Sequence, residues 1–154
     1  MERVLEIKYR HYASLEELPA NERQLLEEAL AASARAVAPY SSFRVGAAVR
    51  LRESGEVVSS ANVESEVYPA GICAERNLLF TVAANYAGAI IEEMAVASPS
   101  SSGECYPCGI CRQTLIDTER RQGSPIRVIM GSTQSATVVE SAESLLPFTF
   151  KLEN

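Results

Sequence analysis

An α/β fold is what the order of elements in this sequence predicts: three layers, α/β/α, around a mixed central sheet of about five strands. Two observations carry the expectation. Strand-like runs alternate with helical ones along most of the chain. The sheet opens with an antiparallel hairpin and continues into a strand–helix–strand crossover. Length agrees, since 154 residues form a single domain, enough to bury roughly two-thirds of the unfolded surface. The expected domain spans 1–154, with its core at about 21–140, an N-terminal extension over 1–20 and a C-terminal tail over 141–154.

In chain order, Val4-Leu5-Glu6-Ile7-Lys8-Tyr9 alternates weakly and reads as a short strand. The lone histidine, His11, follows with no motif around it and reads as a solvent-facing side chain. A first helix starts at about Asn21, a residue that can cap, with Gln24 three residues on. Leu25, Leu26, Ala29, Leu30, Ser33 and Val37 mark one face, and Pro39 ends the helix. Ala38-Pro39-Tyr40-Ser41-Ser42 is a turn-rich lead into a strand over Phe43–Leu51. Its partner is Glu56–Asn62, joined through Glu53-Ser54-Gly55 as a hairpin.

From Asn62 to Ile72 the chain is too polar and turn-rich for a core strand, so it reads as a loop. A helix over Cys73–Tyr86 follows, striped by Leu78, Leu79, Val82, Ala83 and Tyr86, with Gly88 as its C-cap. Glu93–Ser98 is a short apolar run fit for a buried strand, and Pro99–Glu104 a Ser/Gly-rich loop. A second helix over Cys108–Gln122 carries arginines in its last turn, with Gly123 at the cap and Pro125 beyond. Ile126–Met130 is another buried strand, Ala136–Glu140 an edge strand, and Leu145–Phe150 an apolar tail.

Composition excludes some functions. The net charge is −6 with a pI of about 4.9, and no basic cluster is denser than Arg120-Arg121. A nucleic-acid binder needs cations against phosphates, so no nucleic-acid partner is expected. No apolar run approaches the ~18 residues of a membrane span. The start, Met1-Glu2-Arg3, is unlike a signal peptide. Four cysteines in an untargeted chain point to metal or catalysis rather than disulfides, with the cytoplasm as the expected compartment.

The chemistry gathers at two helix starts, Cys73-Ala74-Glu75-Arg76 and Pro107-Cys108-Gly109-Ile110-Cys111-Arg112. Backbone N–H groups there are unsatisfied and lower a thiol's pKa toward the anion that binds zinc. Cys108-x2-Cys111 supplies a local pair and Cys73 a third ligand. Three protein ligands leave a fourth tetrahedral position for water, the arrangement of a catalytic zinc, one per chain. Arg76 and Arg112, each beside a ligand, add to the helix dipoles in offsetting the excess thiolate charge. Cys105 repeats the spacing, so a closed four-cysteine zinc or an iron–sulfur cluster is the rival arrangement. Against it, Tyr106-Pro107 pulls Cys105 into extended backbone ahead of the helix. Glu75, in the first turn beside the metal but not spaced to ligate it, reads as the proton carrier of a zinc-dependent deamination.

These motifs resemble the small homotetrameric cytidine deaminases. The likeness extends to Ala38-Pro39-Tyr40-Ser41-Ser42-Phe43-Arg44-Val45-Gly46-Ala47-Ala48 and Asn62-Val63-Glu64, covering about Pro39 to Asp117, with an echo at Leu145-Leu146-Pro147-Phe148. The resemblance implies zinc on Cys73, Cys108 and Cys111, with Glu75 shuttling protons. It further implies that Asn62 and Glu64 hydrogen-bond the ribose 3′-hydroxyl, that Phe43 packs against the nucleoside, and that Ala74 joins the substrate site. It implies a homotetramer in which Phe148 or Phe150 of a neighbouring subunit closes the pocket, and a role in pyrimidine salvage. Departures are Ser60 where glycine is usual, Ser65 for asparagine, Glu66-Val67 for smaller residues and Asp117 for glutamate. The expected activity is hydrolytic deamination of free cytidine or deoxycytidine. Two rivals stand beside it: deamination of another cytosine-containing nucleoside, as in the blasticidin S deaminases that share these motifs, and a non-enzymatic zinc-stapled binding domain.

Overall fold

The computed structural model describes residues 1–153. Its strands are β1 (Arg10–Tyr12), β2 (Gly46–Leu51), β3 (Val57–Ala61), β4 (Ile91–Ala97), β5 (Arg127–Gly131) and β6 (Ala136–Val139). They form one sheet in the order β1-β6-β5-β4-β2-β3. Only β4 and β5 run parallel, because α3 (Gly109–Gln122) crosses over between them.

Both faces of this sheet are covered, which is why β2 and β4 are apolar almost throughout. Side chains alternate between the faces. Ala48 and Ala95 pack beneath Leu25, Leu26 and Ala29 of α1 (Ala20–Ala32). Val49, Met94 and Val96 pack beneath Leu78, Leu79 and Val82 of α2 (Ala74–Asn85) and Leu115 and Ile116 of α3. The result is the three-layer α/β/α arrangement, with six strands rather than about five. Gly46 lets α1 lie close, since a Cβ built there would stand 1.8 Å from the Ala29 carbonyl oxygen.

The N-terminal half departs most from expectation. The first strand is Arg10–Tyr12, not Val4–Tyr9, and residues 1–9 form no regular element. Polar anchors select it: Arg10 pairs with the buried Glu22 at 3.0 Å and with Glu140 at 2.7 Å. By pairing with β6, it makes that strand internal rather than an edge. Asn21 does not cap α1, which begins at Ala20 behind Pro19. Instead the Asn21 amide reaches the buried Glu93 carboxylate at 3.4 Å, which also pairs with Arg50 at 3.0 Å. The helix ends at Ala32, well before Pro39, where the Ser33 hydroxyl donates to the Leu30 carbonyl at 2.6 Å and a short 3-10 turn follows. Val37 is therefore no part of a buried helical face; it is exposed, and its backbone pairs with Asn62 and Glu64. Downstream the expectations lie close to the structure, with Gly123 capping α3 in the left-handed region at φ 71°.

Candidate active site

Cys73 and Cys108 occupy equivalent positions, each the residue at which a helix begins, and neither uses its side chain to cap the backbone. Their sulfurs lie 4.0 Å apart. Cys111, in the first turn of α3 and fully buried, completes a trio of sulfurs all within 4.8 Å of one another. Among the described residues this is the one group of ligand-bearing side chains placed closely enough to share a metal. Zinc–sulfur bonds of about 2.3 Å in a tetrahedron put sulfurs about 3.8 Å apart, so the trio fits zinc with one position left over.

Electrostatics already favour a cation here. A hydrogen bond with Cys111, helped by Arg76, holds Cys73 down to about 5. That same bond pushes Cys111 up, so the pair shares one proton. Arg76 lies against both sulfurs, with its Nε buried and without a hydrogen-bond partner. Arg112 instead donates to the Pro107 carbonyl at 2.8 Å and the Leu145 carbonyl at 2.8 Å, tying the start of α3 to the C-terminal turn. Its influence on the thiols is indirect.

Glu75 sits two residues into the same helix start as Cys73 and is 4% exposed. Burial pushes its carboxyl up to about 7, and the nearby Cys73 adds to the effect. Cys105 stands apart from the trio. Its N–H donates to the Gly131 carbonyl at 2.9 Å, and burial with the nearness of Glu75 and Cys73 pushes its thiol up to about 12. It stays protonated where Cys73 does not.

A cavity of about 700 Å³ opens over these groups. Cys73, Ala74, Glu75, Arg76, Cys105 and Cys108 line it, and so do Phe43, Asn62 and Glu64. The amide of Asn62 accepts the Val45 N–H at 2.8 Å and donates to the Phe43 carbonyl at 2.9 Å. Glu64 accepts the N–H groups of Tyr40 at 2.9 Å and Ser41 at 3.2 Å, and also the Ser41 hydroxyl. The Ser41 bond leads in holding its carboxyl below the usual glutamate range. Phe148 and Phe150 lie outside the cavity and are exposed.

Among the residues of the cavity, Tyr40, Ser41 and Tyr106 were not expected. Tyr40 and Tyr68 meet edge-on with centroids 6.1 Å apart. Ser41 becomes readable only once Glu64 needs donors. Tyr106 stands next to Pro107-Cys108, and that adjacency was the available signal.

The sequence model of the cytidine and deoxycytidylate deaminase zinc-binding region matches residues 19–123. The cytidine deaminase of Halalkalibacterium halodurans is 31% identical over 86% of this chain and 96% of its own length. That of Sporosarcina psychrophila is 33% identical over 85% of this chain and 92% of its own. Among solved structures, cytidine deaminase from Burkholderia pseudomallei superposes with a TM-score of 0.72 at 38% identity, covering 82% of this chain and 97% of that one. Cytidine deaminase from Mycobacterium tuberculosis does so with a TM-score of 0.67 at 28% identity, over 84% of this chain and 96% of that one. Fold, thiol trio and sequence agree, and the chain belongs to the cytidine and deoxycytidylate deaminase family, with its zinc-binding region.

Proposed function

We propose that this protein hydrolytically deaminates free cytidine and deoxycytidine to the uracil nucleosides and ammonia. One zinc is held by Cys73, Cys108 and Cys111, and Glu75 is the proton carrier. The observation that carries the reading is Glu75 itself, a buried carboxyl brought to about 7 beside a three-thiol trio, two of whose members, Cys73 and Cys108, line the cavity with it. Zinc, when bound there, supplies the Lewis acid that makes water acidic enough to attack carbon 4 of the ring at neutral pH.

Near pH 7 Glu75 exists in both protonation states, so it can take a proton from the attacking water and give one to ring nitrogen 3. It then takes the remaining proton of the added hydroxyl and passes it to the departing amine, so that the carbonyl forms as the carbon–nitrogen bond breaks. Arg76 favours the anionic form of Cys73 by its charge. Phe43 offers a face to the nucleoside, and Ala74 adds a small apolar surface beside the base. Asn62 retains one N–H and one lone pair beyond its two backbone bonds, and Glu64 retains one lone pair beyond its three. Together they suit a 3′-hydroxyl that both donates and accepts.

A 3′-phosphate would instead meet the Glu64 carboxylate, held ionised by Ser41, with no hydroxyl to donate to it. The substrate is therefore a nucleoside rather than a nucleotide or a polynucleotide, and the net charge of −6 acts in the same direction. We place the protein in the cytoplasm, away from membranes; no helix among the described residues is long and apolar enough to cross one. We further assign it a homotetramer, with the exposed Phe148 or Phe150 covering the cavity of a neighbour.

Ammonia release is measured from cytidine, deoxycytidine, cytidine 3′-monophosphate and a short cytosine-containing single strand. Turnover of the two nucleosides alone is the expected result. Comparable rates on all four would remove Glu64 from its role, and no turnover of any would overturn the activity. Sedimentation giving a fully active monomer would overturn the shared pocket.

A further inference from the structure

The N-terminal extension brings the chain's only histidine, on β1, within two contacts of the cavity wall. His11 lies opposite Thr137 in the β1–β6 pair. Its Nδ1 stands 3.2 Å from the Thr137 hydroxyl and 3.3 Å from Oε1 of Glu104. The Glu104 side chain is 5% exposed, and Oε1 is buried and makes no hydrogen bond. Its other oxygen accepts the Tyr106 hydroxyl at 2.9 Å. Tyr106 in turn is a wall of the cavity, two residues from Cys108. A continuous set of contacts therefore runs from the added edge strand to the wall of the candidate active site.

We propose that Tyr106 is a specificity-determining residue whose ring bounds the space beside the reacting base, and that Glu104 and His11 are positioning residues that hold it there. The proposal rests on the reading of the cavity as a cytosine nucleoside site. A reacting base presents its amino-bearing carbon to the thiols, and Tyr106 lines the cavity two residues before Cys108, so groups on the base rather than on the ribose would meet its ring. More than half of the Tyr106 surface is exposed, and packing alone leaves such a ring free to change rotamer. The bond to Glu104 removes that freedom. The Glu104 carboxylate is shut away from water, so it needs partners for its charge, and His11 and Tyr106 are the two groups that face it. Thr137 sets the imidazole over the carboxylate, and the short β1 strand carries it there.

The test compares kcat and KM for cytidine, 5-methylcytidine and N4-methylcytidine on the zinc-loaded enzyme. Binding of the same nucleosides to the Glu75→Gln variant gives a readout independent of turnover. Tyr106→Ala is expected to raise kcat/KM for at least one methylated nucleoside relative to cytidine by about tenfold or more, the usual worth of one methyl group against a pocket wall. The binding ratio should move with it. Tyr106→Phe, His11→Ala and Glu104→Ala are expected to move the same ratio by about threefold, the worth of one ordinary hydrogen bond. Glu104→Gln, which keeps an acceptor for Tyr106, should restore it. Unchanged ratios in Tyr106→Ala would overturn the specificity role. A shift in Tyr106→Ala with none in His11→Ala or Glu104→Ala would overturn the positioning role. Wild-type enzyme without cytidine turnover would fail the reading of function instead, while altered binding ratios would leave Tyr106 in place; no binding of any nucleoside would overturn both.

Discussion

Asn62 holds Phe43 by a hydrogen bond from its side-chain amide to the Phe43 carbonyl, at 2.9 Å. The same amide accepts the N–H of Val45, so one side chain fixes both sides of a short irregular stretch that faces the cavity. Phe43 precedes β2, which starts only at Gly46, and has no strand pairing to hold it. Asn62→Ala is therefore expected to raise KM for cytidine and to destabilise the fold by about 1–3 kcal/mol, since backbone groups lose their partners. Urea denaturation and steady-state kinetics check the two halves. Raised KM with unchanged stability would mean that Asn62 acts on substrate alone.

The cysteines divide three to one. Cys105→Ser is expected to leave zinc content and activity as they are, because its thiol stands apart from the trio. Cys108→Ser should lose both. Metal analysis of the purified variants decides, and loss of zinc in Cys105→Ser would revive a closed four-cysteine site.

Glu75→Gln keeps shape and removes the proton, so the fold and the zinc should remain while turnover falls by ~10²–10⁴, the worth of a positioned acid–base group. Stability gives a second measure. Because the folded carboxyl is raised from 4.5 to about 7, its contribution is fully present below 4.5 and is lost as pH rises through 7. In the metal-free chain, the stability of wild type relative to Glu75→Gln should fall by up to about 3 kcal/mol between pH 4.5 and pH 8. A difference flat with pH would show that the carboxyl is not held neutral.

Gly46→Ala tests the packing of α1 on β2. The added carbon would meet the Ala29 carbonyl oxygen at 1.8 Å and the Ser33 nitrogen at 2.6 Å, both backbone atoms that cannot rotate away. Destabilisation of about 3 kcal/mol or more is expected. Thermal melting within a degree or two of wild type would mean that α1 moves freely.

How much of this was legible varies with the kind of signal. Cys73, Glu75, Cys108 and Cys111 could be read because a helix start converts spacing in sequence into proximity in space. The two helices of the site, with Leu78, Leu79 and Leu115 on their buried faces, follow from apolar periodicity. Asn21 misled, because a residue suited to cap a helix here reaches a buried carboxylate on β4 that no local pattern announces. Residues 4–9 alternate like a strand, yet the pairing falls on Arg10–Tyr12, where Arg10 finds Glu22 and Glu140 across the fold. Ser41 depends on such a long-range partner too, Glu64, whereas Tyr106 was announced only by its place beside Pro107-Cys108.

Cys73 and Cys108 stand 35 positions apart in the chain, yet their sulfurs are 4.0 Å apart. An ion gripping both is a reversible cross-link as well as a reagent: it closes a long loop and joins the starts of two helices that would otherwise separate on unfolding. Metal bound only by the folded chain adds to stability with concentration, about 1.4 kcal/mol for each tenfold rise in free zinc above the dissociation constant. The melting temperature thus becomes a gauge of metal supply, and a starved cell would lose this protein to degradation as well as to inactivity.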